Sequence, residues 1–158
     1  MGKNVRKAPA RAGASISMAE DDVVTCERAQ VTRDDAAPQL VGDVMLRRPK
    51  TLDGHATVDE ARAFFANPKV ISALIVDGTS FVGLLDRGDM PRLLAGSSPI
   101  RTFVRREIST ITPDRPVTDA IEVLDARGLA RMVVLESDGI TLAGLLCLDL
   151  KRAGFCQG

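Results

Sequence analysis

The sequence predicts an α/β fold of the α+β kind. Two pseudo-symmetric βαββα units pack through their small sheets, behind a disordered N-terminal tail. Three observations predict it. A pattern of blocks recurs once, 59 residues along the chain (Thr51 onto Thr110). Each copy reads helix, strand, turn, strand, its apolar residues passing from helical spacing to a short continuous run. Residues 1–38 share neither property, because apart from alanine they hold too few apolar groups to offset the entropy of an ordered chain. The chain therefore divides into a disordered or partly ordered tail (1–38), a first unit (39–96), a second unit (97–154) and a short end (155–158).

The repeat is carried by four blocks in one order. Pro49–Leu52 falls on Ile108–Ile111, Thr57–Ala61 on Pro116–Ala120, and Ala73–Asp77 on Met132–Glu136. After a two-residue insertion in the second copy, Val82–Leu85 falls on Ala143–Leu146. In the first copy Thr57, with Glu60 three residues on, is a capping box that starts a helix. Val58, Ala61, Phe64 and Phe65 give that helix its apolar face, and Asn67-Pro68 stops it. Ala73–Val76 is an apolar run fit for a buried strand, Asp77-Gly78 supplies a turn, and Phe81–Leu85 forms the second strand. A closing helix is expected over Asp89–Ala95. In the second copy Val117, Ala120, Ile121 and Leu124 make the helix face, with Gly128 as its stop. Met132–Leu135 and Ile140–Leu146 are its strands, and Leu148–Ala153 is expected to form a last helical turn or two.

Composition removes several function classes. The 158 residues hold 21 basic and 21 acidic side chains, so no broad positive field favours nucleic acid. With no Trp or Tyr, a stacking platform for bases is absent. A single His excludes a multi-histidine metal site. Three cysteines without a CxxC pair argue against a disulfide framework and for a reducing, cytoplasmic setting. No apolar run approaches the roughly 18–20 residues that span a bilayer, so no membrane partner is expected. The basic start (Lys3, Arg6, Lys7, Arg11) lacks a following apolar run and reads as a soluble tail rather than a signal peptide. There is no phosphate-binding glycine loop and no nucleophile elbow, so no enzyme is expected. His55 reads as a surface loop residue with no catalytic partner. Asp86 and Asp89 alone offer too few oxygens for a hard cation.

These blocks resemble the cystathionine-β-synthase (CBS) domain family, as a tandem pair or Bateman module. The resemblance rests on Val41-Gly42-Asp43-Val44-Met45 as the opening segment, Thr51, the Val58–Ala61 helix start, the strand ending in Asp77, and Gly83-Leu84-Leu85-Asp86-Arg87-Gly88-Asp89 as the close. The second copy repeats it from Pro99–Val104 and Thr110–Asp114, so about residues 40–153 are covered. The resemblance implies regulation rather than chemistry. It implies a cleft between the units for an adenosine-containing small molecule such as AMP, ADP, ATP or S-adenosylmethionine, no required cofactor, a homodimer, and an effector protein not identified by the sequence. Carried over by position, Asp89 is the ribose acceptor, and Thr51 and Thr110 are polar contacts. Ser72, Ala73, Leu74 and Arg131, Met132, Val133 are the strand starts that meet the base. Asp86 replaces the usual hydroxyl beside the phosphate and would repel a phosphate dianion. In the second unit Asp149 stands one residue early and Leu150 takes the ribose position. The competing expectation is a ligand-free dimerisation or protein-interaction module with degenerate nucleotide sites.

Overall fold

A computed structural model of the chain describes residue 26, residues 28–90, residue 92 and residues 94–157. Its elements run β1 (Val31–Thr32), α1 (Arg33–Ala36), α2 (Val41–Val44), β2 (Thr51–Asp53), α3 (Val58–Phe64), β3 (Ser72–Asp77) and β4 (Ser80–Asp86). There follow β5 (Thr110–Ile111), α4 (Val117–Arg127), β6 (Arg131–Leu135), β7 (Leu142–Cys147) and β8 (Gly154–Phe155). Two three-stranded sheets result, ordered β2-β3-β4 and β5-β6-β7. In each, the first pair is parallel and the second antiparallel. The duplication read from the sequence is thus a duplication of topology, in a mixed α/β fold.

Local chemistry starts α3 where the sequence places it. The Glu60 amide donates to the Thr57 hydroxyl at 3.3 Å, and the Thr57 amide donates to Glu60 Oε1 at 2.8 Å. Gly128 ends α4 in the left-handed region, with φ of 65°, which a residue without Cβ adopts freely. Two expectations are corrected. Asp89–Ala95 is not a helix among the described residues: a 3-10 turn, Arg87–Asp89, leads into Met90 at φ −71° and ψ 124°. Met90 precedes a proline, which bars it from the helical region. Leu148–Ala153 forms a turn closed by Asp149 and followed by β8. The buried Asp149 carboxylate accepts the Ala153 amide at 2.6 Å and the Gly154 amide at 3.2 Å.

The leading segment of each unit packs on the other unit. Leu40 bridges to Pro116 and Leu46 to Leu145, while in the mirror arrangement Pro99 bridges to Thr57 and Arg105 to Leu84. Val41 and Val44 of α2 are fully buried with Val117, Ala120 and Leu124 of α4. Ile100 and Val104 are buried with Val58, Ala61 and Phe65 of α3. The two glycines of the repeat make room for these crossings. A Cβ on Gly83 would strike the Arg105 carbonyl oxygen and Val104, and one on Gly144 would strike the Leu46 carbonyl oxygen and Met45.

Residues 1–25 and 27 of the expected tail lie outside the described residues. From Arg28 to Pro38 the chain is part of the fold. Strand β1 pairs antiparallel with β8, Val31 opposite Phe155. The Arg33 guanidinium forms two bonds to the Asp125 carboxylate, at 3.0 and 2.8 Å. The expectation of no disulfide is also corrected: Cys26 and Cys156 are bridged, with their Cα atoms 5.9 Å apart. Spacing within the chain could not signal this, because 130 residues separate the partners and only the β1–β8 pairing brings them together.

Candidate functional site

Strand alternation sorts the side chains of the second sheet onto two faces. Met132, Val134 and Leu146 turn to the α4 side, while Val133, Leu145 and Cys147 join the core shared with the first unit. Arg131 has the same parity as Val133. Between this face and the end of β4 lies a cavity of about 390 Å³, a size ordinary for a small-molecule site. Its floor is apolar, with Leu84, Val133 and Leu145, and its polar groups include Asp86, Arg105, Glu107, Arg127 and Arg131.

Charge within the cavity is not evenly matched. Arg105 is held by two carboxylates, its Nη2 against Asp86 and its Nε 3.2 Å from Asp89 Oδ2. Asp86 also accepts a bond from the Ser72 hydroxyl, and Asp89 Oδ2 lies 3.3 Å from the Asp86 amide. The Asp86 carboxylate is therefore not the bare repulsive charge that sequence reasoning describes. Arg127 donates to the Ser109 hydroxyl at 2.9 Å. Arg131 bonds the Cys147 thiol, and its burial away from water pulls its pKa down. Burial pushes the Cys147 thiol up to about 11. Among the described residues neither Arg127 nor Arg131 forms an ion pair with a carboxylate. A desolvated guanidinium without a counter-charge favours an anion beside it.

The residues expected to bind ligand are distributed unevenly. Asp86, Arg131 and Val133 line the cavity. Ser72 is buried and reaches it through Asp86, while Asp89 adjoins it through Arg105. Thr51 and Thr110 begin β2 and β5, exposed, opposite Leu74 and Val133. Ala73, Leu74 and Met132 are buried in the two cores. Sequence reasoning missed Glu107 and Arg127 and left Arg105 between a solvated residue and a phosphate- or partner-binding rim. Arg105 carried a signal, since its repeat equivalent is the apolar Leu46, and a charge replacing a core residue needs a partner. The pairs also correspond: Ser72 opposite Asp86 in the first sheet is Arg131 opposite Cys147 in the second.

A second cluster lies at the ends of β2 and β3. His55 Nδ1 is 3.2 Å from Asp53 Oδ1 and 3.8 Å from Asp77 Oδ1, which corrects the reading of His55 as a residue without partners. The ligand-type atoms of these three lie within 4.8 Å of one another. Arg101 Nη2, 3.0 Å from Asp77 Oδ2, holds that carboxyl below its usual range. A cation bound here would sit beside that guanidinium.

The paired units, each with three strands and a shared crevice, define a duplicated βαββ module. CBS domain models match residues 41–96 and 100–149, and the chain belongs to the CBS domain family. One curated relative, the uncharacterized protein MJ1232 of Methanocaldococcus jannaschii, is 24% identical over 107 residues, 67% of this chain. The chain spans about a third of that relative's length, 36%. Among solved structures, CBSX2 in complex with AMP superposes with a TM-score of 0.61 at 20% identity, covering 73% of this chain and 92% of that one. The cytosolic domain of the Mg2+ channel MgtE in complex with ATP gives 0.59 at 16% identity, covering 69% and 46%. These likenesses establish the fold. No helix among the described residues is long and apolar enough to cross a membrane.

Proposed function

We propose that this CBS pair is a regulatory module that takes an adenosine-containing nucleotide into the cavity between its units and passes the change to a partner. The observation that carries the reading is Arg131, a desolvated guanidinium with no carboxylate partner among the described residues, on the wall of a 390 Å³ cavity. With Arg127 it meets the phosphate, while Asp89, engaged through Oδ2, offers its other oxygen to a ribose hydroxyl. The apolar floor of Leu84, Val133 and Leu145 takes the base. Two guanidiniums without a carboxylate partner among the described residues favour AMP, ADP or ATP over the cationic sulfonium of S-adenosylmethionine. The two superposed structures are complexes with ATP and with AMP, which supports the class of ligand. The module works without catalysis, as a homodimer or against an effector protein, in the cytoplasm.

A thermal-shift panel of AMP, ADP, ATP and S-adenosylmethionine tests the reading. A ligand at 100 times its Kd stabilises by about 2.7 kcal/mol. Arg131→Ala should weaken AMP at least tenfold, since a bond to a charged group contributes about 1.5–3 kcal/mol. Asp89→Ala should weaken it also. A flat panel with folded wild-type protein would reject the ligand. A ligand-free interaction module is the second reading. It is favoured by Asp149, whose carboxylate is consumed by its own turn, and by Leu150, 73% exposed where a ribose acceptor would stand.

A further inference from the structure

The three cysteines of the chain meet at one place. Cys26 is 5% exposed and bridged to Cys156. The Cys156 amide donates to the Cys147 carbonyl at 3.0 Å, and the Cys147 thiol is bonded by the Cys26 backbone. Cys147 is not bridged. The arm that Cys26 begins is otherwise held by thin contacts. Ahead of Arg33, whose guanidinium is anchored on Asp125 and on the Arg152 carbonyl, these are the two-residue β1–β8 ladder, the Gln30 amide on the Phe155 carbonyl at 2.9 Å, and the exposed Gln157 amide on Gln30 Oε1 at 2.6 Å. Such a short, solvent-edged ladder does not secure a chain end alone.

We propose that Cys26 and Cys156 form a reversible thiol–disulfide latch, which fastens the arm across the C-terminal strand when oxidised and lets it undock when reduced. The oxidant is a low-molecular-weight disulfide. One cysteine thiolate attacks it, forming a mixed disulfide and expelling one thiolate. The second cysteine then attacks the protein sulfur of that mixed disulfide, closing the bridge and expelling the other thiolate. Two protein thiols and one disulfide thus become one protein disulfide and two small thiols, with electrons balanced. The third cysteine does not compete: its buried thiol resists ionisation, and the thiolate is the attacking species.

The test uses the full chain, equilibrated with oxidised glutathione or with a phosphine reductant, and needs no ligand. Peptide mapping should find the Cys26–Cys156 linkage in the oxidised form of both wild type and Cys147→Ser. Hydrogen exchange at the Gln30 amide, on the bridge side of the Arg33 anchor, should run at least tenfold faster in the reduced wild type. Cys156→Ser should exchange at the reduced rate under both conditions. Mapping that finds no linkage after the oxidant, or a linkage through Cys147, overturns the latch. Equal exchange in oxidised and reduced wild type also overturns it, and that comparison needs no variant to fold.

Discussion

At the scale of single residues, the chain uses arginine to manage its carboxylates. Asp125 receives Arg33 from the arm and Arg152 from the C-terminal turn, at 2.8 and 3.0 Å, and these donors hold its carboxyl down at about 2. A folded-state pKa below the ordinary 3.8 means the unfolded chain binds the proton more readily. The stabilisation is therefore complete above about pH 4 and is lost as the pH falls toward 2. Chemical denaturation of wild type and Asp125→Asn should show a stability difference near neutrality that shrinks across that window; a difference independent of pH would refute the assignment. Asp149 makes the same point about what can be read in advance. Its displacement from the ribose position is plain in the sequence, but its use is not. The two amides it accepts come from a turn, fixed by Arg152 at φ 57°, that no local pattern announces.

At the scale of elements, legibility followed whether the determinant was local. The Thr57–Glu60 box, the Gly128 stop and the apolar runs of β3 and β6 act over a few residues, so the spacing alone revealed them. The 3-10 turn at Arg87–Asp89 was missed although Pro91 was visible, because the apolar spacing around it imitated a helix. Asp86 and Arg131 were found from family position, whereas Arg105 enters the cavity by a crossing of backbone that no strand motif encodes, and Arg127 enters it from the last turn of α4. The repeated glycines are the element-level signature of that crossing. Gly83→Ala should destabilise the chain by about 1–3 kcal/mol in urea denaturation, as overpacking does against backbone. Gly88→Ala, where an added Cβ meets nothing within 4 Å, should lack that clash penalty. Equal losses for the two would mean the crossing has slack.

At the scale of the whole molecule, repeat and structure are offset. The sequence divides between residues 96 and 97, but Val41 and Val44 lie in the second core, and Ile100 and Val104 in the first. A chain cut after residue 96 keeps a sheet that has lost two buried residues and a helix that has lost its neighbours. It is expected to show no cooperative thermal transition, while residues 26–158 should melt as one unit in calorimetry. A fragment 39–96 that melts cooperatively on its own would contradict this.

The exchanged leading segments have one more consequence, mechanical rather than energetic. Each half is laced into its sibling by the strand of chain that introduces it, so rotating one half drags backbone through the other's interior. Hinge-like gaping of the two halves is thereby discouraged.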